Sequence, residues 1–110
     1  MPKDGKAEGE LLRPIPLQSI QERAIAFLEA NDDTGVADAV DLLISQGAYH
    51  GASDLHFEPW LECFSVRYRL DGMLQQVAFL PREYQLKITA RIKVLAELVV
   101  YRRDVPQDGR

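Results

Sequence analysis

The 110-residue chain carries 13 basic and 17 acidic residues, a net charge of −4, and 46% hydrophobic residues, as expected of one domain with a modest core and no diffuse attraction for nucleic acid or an anionic bilayer. Its one cysteine, Cys63, excludes an internal disulfide or a cysteine-rich zinc site and fits a reducing cytoplasm. No apolar run approaches the about 20 residues that span a bilayer, and residues 1–10 are charged where a signal peptide would be apolar, so direct membrane insertion is not expected.

Residues 1–17 combine charges, glycines and the prolines Pro14 and Pro16, can bury little, and read as a flexible tail. Residues 18–35 read as a helix and linker. Ser19 and Glu22 have capping-box spacing, and Ile20, Ala24, Phe27 and Leu28 share one helical face, predicting a helix over 20–30. Residues 31–35 form a polar break. Val36, Val40, Leu43 and Ile44 then mark a second helix that stops near Gly47.

From Gly51 the period becomes two. Leu55 and Phe57 alternate with Asp54, His56 and Glu58 until Pro59, which cannot donate to a ladder. Phe64, Val66, Tyr68 and Leu70 alternate with Cys63, Ser65, Arg67 and Arg69, and Asp71-Gly72 supplies a two-residue hairpin turn before the strand 73–80. That turn predicts the pairs Leu70–Met73, Tyr68–Gln75, Val66–Val77 and Phe64–Phe79 on an apolar face. The other face carries Ser65, Arg67 and Arg69 against Ala78, Gln76 and Leu74, and is the place to look for an interface.

After Pro81, the residues Tyr84, Ile88, Ile92, Leu95 and Val99 recur at helical spacing, predicting a third helix over about 82–98 that lies on the hairpin's apolar face. Residues 105–110 are turn chemistry, and Asp108-Gly109 is a hairpin signal with no returning strand, so the fold is expected to continue past Arg110. The class is α+β: two N-terminal helices, an antiparallel three-strand meander, then a helix packed on the sheet.

The sequence holds no Gly-rich Walker loop, dinucleotide fingerprint or nucleophile elbow, so no catalytic, cofactor or metal residue is expected in this chain. Asp54, His56 and Glu58 share one side of a strand, but its extension separates the outer two by roughly 13 Å, too far to converge on one ion. They read as a solvent-facing strand. His50 reads as a loop residue without a role, and Cys63 as passive because no histidine is placed to activate it. Arg67 and Arg69 concentrate positive charge suited to a carboxylate or phosphate on another subunit. Trp60 fits either a cover over the end of the core or a partner anchor, with the cover favoured. Arg67, Arg69, His56 and Trp60 are therefore the candidate interface residues.

Three blocks carry a family resemblance: Gly51-Ala52-Ser53-Asp54-Leu55-His56-Phe57-Glu58-Pro59, Val66-Arg67-Tyr68-Arg69-Leu70-Asp71-Gly72, and Arg91-Ile92-Lys93-Val94-Leu95-Ala96 closing on Pro106-Gln107-Asp108-Gly109-Arg110. In order and spacing they resemble the domain that precedes the RecA-like motor in the ATPases of type II secretion and type IV pilus assembly. The resemblance covers residues 36–110. It implies a PAS-like pre-motor domain, here truncated before the motor, that moves against the motor as a hexamer cycles through ATP states. It further implies ATP and Mg in the full-length parent but no cofactor in this chain. The implied partners are the motor, neighbouring subunits and inner-membrane secretion or pilus components, at a cytoplasmic site peripheral to the inner membrane.

In that family the arginines that reach the nucleotide lie on strands after the Asp-Gly-Arg block, so Arg67, Arg69 and Arg91 do not inherit the role. The short N-terminal segment leaves no room for the extra domain of many relatives. Glu97, Val99, Arg102 and Asp104 depart from the usual pattern, implying rewired charge pairing around the last helix. A stand-alone regulatory module and a PAS-like small-molecule sensor are the alternative readings.

Overall fold

The computed structural model describes residues 13–30 and 34–107, the last ten of them as backbone only. Helix α1 (Leu17–Glu29) and helix α2 (Gly35–Tyr49) precede strands β1 (Asp54–Pro59), β2 (Cys63–Leu70) and β3 (Met73–Pro81). A 3₁₀ turn (Arg82–Tyr84) leads into helix α3 (Gln85–Gln107). The strands form one antiparallel sheet in the order β1-β2-β3. This is the expected α+β arrangement.

The apolar periodicity of α1 buries Ile20, Ala24 and Leu28, one residue per turn on a single face. The capping box does not form. Helix α1 begins two residues before Ser19, its N-cap is Pro16, and no side chain caps it. Proline fits there because the first turn has no use for its missing N–H, while the Ser19 N–H donates to the Pro16 carbonyl. Helix α3 is also longer than expected: residues 99–107 continue the helix through the segment read as turn chemistry, Pro106 included. Asp108-Gly109 and the side chains of Val99, Arg102 and Asp104 lie outside the described residues.

Asp71 and Gly72 have φ values of 53° and 83°, the paired left-handed conformation of a two-residue hairpin turn. The predicted register holds through Leu70↔Met73, Tyr68↔Gln75 and Arg67↔Gln76, then shifts, so that Val66 faces Ala78, Ser65 faces Phe79 and Phe64 faces Leu80. The expected Val66–Val77 and Phe64–Phe79 pairs are replaced. Beyond Arg67 a one-residue β-bulge reverses the parity of β3. It delivers Ala78 and Leu80 into the core and turns Phe79 outward, to 45% exposure. Gln76 makes the bulge tolerable, because its Nε2 reaches the Val66 carbonyl at 3.3 Å, the Ala78 carbonyl at 3.0 Å and Ser65 Oγ at 3.0 Å.

The core lies between one face of the sheet and all three helices. Phe64, Val66, Tyr68, Ala78 and Leu80 meet Ile20, Ala24 and Leu28 of α1, Ala39, Val40, Leu42 and Leu43 of α2, and Ile88 of α3. Helix α2 packs directly on Leu55 of β1 at Gly47. A Cβ there would stand 2.9 Å from Leu55 Cδ1 and 3.2 Å from Leu55 Cγ, so this glycine is set by packing.

A Gly47→Val substitution forces α2 away from β1, and overpacking of this kind costs about 1–3 kcal/mol. Urea unfolding should show a lower midpoint for this variant; an unchanged midpoint would mean that α2 does not seat on Leu55 as described.

Candidate functional site

With all three described helices on one face, the opposite face of the sheet is open among the described residues. The β1–β2 pairing places Asp54 opposite Arg69, His56 opposite Arg67 and Glu58 opposite Ser65. Directly opposed residues in an antiparallel pair point the same way, so the two charged rows that alternate along the sequence interlock on the open face.

The result is a chain of ion pairs. Arg69 Nε donates to Asp54 Oδ1 at 3.0 Å and Arg67 Nη2 donates to Glu58 Oε1 at 2.7 Å. His56 stands between the two acids, its Nε2 2.5 Å from Asp54 Oδ2 and its Nδ1 4.0 Å from Glu58 Oε2. Ser53 Oγ donates to Asp54 and Trp60 Nε1 donates to Glu58. These bonds hold both carboxyls below their ordinary pKa values, for Asp54 through Ser53 first, then His56 and Arg69, and for Glu58 through Trp60 first, then Arg67. Partial desolvation opposes the shift at both.

Trp60 does not close the end of the core. It lies on the open face, with its ring centroid 5.7 Å from Phe79 and the Arg67 guanidinium 5.9 Å above it, a cation–π stack continuous with the ion-pair chain. Leu61 projects beside it at 87% exposure. The turn that carries both residues is anchored by Arg82, whose Nη1 donates to the Leu61 carbonyl at 2.8 Å. Large apolar side chains bordered by arginine have the composition of protein-binding hot spots.

All four sequence-predicted residues, Arg67, Arg69, His56 and Trp60, therefore share one surface. Phe79 and Leu61 belong there as well. The signal for Phe79 was the bulge, which sequence alternation alone does not show. Among the described residues, no group of His, Cys, Asp or Glu side chains is placed to hold a metal ion, and no helix is long and apolar enough to cross a membrane. Both arginines are already committed to carboxylates, although Arg67 Nε is buried without a partner.

A sequence model of the family described as "Type II/IV secretion system protein" matches residues 29–110. The chain belongs to that family. It is 45% identical over 93 residues to the type IV pilus assembly ATPase PilB of Pseudomonas aeruginosa, covering 84% of this chain and 16% of the relative. The type II secretion system ATPase E of Vibrio cholerae is 35% identical over 84 residues, covering 76% of this chain and 17% of the relative. The type II secretion system protein HxcR of Pseudomonas aeruginosa is 34% identical over 106 residues, covering 96% of this chain and 22% of the relative. The chain thus spans about a fifth or less of the length of these relatives.

Because both carboxyl pKa values are depressed in the folded state, the stabilisation from this cluster is fully present above their unfolded values and is lost as pH falls through the folded ones. NMR titration should find Asp54 and Glu58 ionising below their ordinary 3.8 and 4.5. The stability difference between wild type and an Asp54→Asn, Glu58→Gln double variant should shrink as the pH falls below that range. Titration at or above the ordinary values would contradict the ion-pair chain.

Proposed function

We propose that this chain is a non-catalytic domain of a type II secretion or type IV pilus assembly ATPase, and that its open sheet face is where the motion of a hexameric motor is received. The observation that carries this reading is the distribution of packing: three helices bury one face of the sheet, and the other keeps an ordered array of Arg67, Arg69, His56, Trp60 and Phe79 at the surface. A face organised by ion pairs and packed rings is stiff before a partner arrives, so little ordering entropy opposes docking.

Family membership supplies the rest of the proposal. The relatives are ATPases by name, and the 110 residues contain no phosphate-binding loop. ATP and Mg are therefore bound by parts of the parent outside these residues, and the domain works at the cytoplasmic side of the inner membrane through secretion or pilus components. A coupling domain needs a core that moves as one body and a surface that grips its neighbour. The core on the helical face and the array on the open face divide those two tasks.

A Trp60→Ala, Arg67→Glu double variant of the full-length ATPase tests the assignment. Loss of a stacked anchor and reversal of its neighbouring charge should lower ATP-driven secretion or pilus assembly roughly ten- to thirty-fold, with circular dichroism unchanged. Wild-type assembly by a folded variant would remove the open face from the coupling path.

A further inference from the structure

Gln46 is a fully buried polar side chain on a helix otherwise buried through apolar residues and glycine. Its amide spends both ends on one short segment more than 30 residues away. Gln46 Oε1 accepts the Ile15 N–H at 2.9 Å, and Gln46 Nε2 donates to the Arg13 carbonyl at 2.8 Å. At the C-cap of α2, His50 Nε2 stands 2.7 Å from the Ile15 carbonyl, and because a carbonyl can only accept, that nitrogen carries the proton. Three backbone groups of one short segment, the Arg13 carbonyl and both the N–H and the carbonyl of Ile15, are thus met by two side chains.

The segment is built for this contact. In Arg13-Pro14-Ile15-Pro16 each proline fixes its own φ, biases the residue before it toward extended conformations, and has no N–H. Ile15 is therefore the single donor among residues 14–16, and it is the donor that Gln46 accepts. The Ile15 side chain packs against the core, adding an apolar contact to the three polar ones. Such a strand is pre-organised and loses little entropy on docking.

We propose that Gln46 and His50 form a receptor for an extended, proline-flanked peptide backbone, filled in cis by residues 13–16, so that the direction in which the chain approaches this domain is latched onto α2. Any displacement of the preceding segment is then delivered to α2 instead of being absorbed by a free linker. The latch is independent of the role assigned to the open face, which lies across the sheet from it.

Hydrogen exchange of the Ile15 amide in the 110-residue chain reads the latch directly. In wild type it should exchange at least about tenfold more slowly than an unstructured amide. Gln46→Leu, which removes both amide partners at similar volume, should bring it to within about threefold of the unstructured rate while the Tyr68 amide stays protected. A Pro14→Gly, Pro16→Gly variant leaves α2 untouched and keeps the test open if Gln46→Leu does not fold. It should lower Ile15 protection roughly 4- to 30-fold, the loss of two prolines' pre-organisation. An unprotected Ile15 in wild type, or protection unmoved in every folded variant, overturns the proposal. Protection that rises with protein concentration would place a second copy's segment in the receptor and overturn the cis assignment.

Discussion

The contact on which the rest of the structure depends is the hydrogen bond from the Tyr68 hydroxyl to the Leu43 carbonyl. Tyr68 is the largest fully buried side chain among the described residues, it stands in the middle strand, and its hydroxyl ends on the backbone of α2. Burial pushes its phenol well above the ordinary pKa, so at neutral pH the hydroxyl is protonated and donates. Helix α2 is thereby fastened to the sheet at Leu43, about one turn before Gly47, whose lack of a side chain admits Leu55.

Both surfaces discussed above follow from that fastening. Strand side chains alternate, so Arg67 and Arg69, either side of Tyr68, must point away from α2 and onto the open face. There the β1 register hands them Glu58 and Asp54. On the helical side, Gln46 and His50 follow Leu43 by about one and two turns and present their side chains to residues 13–15. One buried tyrosine therefore sets the position of an ionic array in front of the sheet and of a latch behind it.

Most of this architecture is legible in the sequence because its signals are local. Asp71-Gly72 fixes a turn by backbone sterics, and the alternation 63–70 fixes which residues face inward. What the sequence hides is the parity change in β3. Apolar residues occupy both parities there, Met73, Val77 and Phe79 on one and Leu74, Ala78 and Leu80 on the other, so alternation cannot choose between them. The bulge chooses, guided by Gln76, whose amide can serve two carbonyls. Trp60 was ambiguous for a related reason: the β1–β2 turn geometry, not composition, decides which face it joins. The open-face acids and arginines were visible as separate rows, and only the strand register made them partners. Gln46 gave no signal at all, since a glutamine on a helix becomes a receptor only when residues 33 positions earlier fold back onto it.

Urea unfolding of Tyr68→Phe reads whether α2 and the sheet are joined through Tyr68 into one body. The substitution keeps the ring and removes only the hydroxyl. The expected loss is about 1–2 kcal/mol, seen as a lower midpoint at unchanged denaturant dependence. A midpoint equal to that of wild type would contradict it.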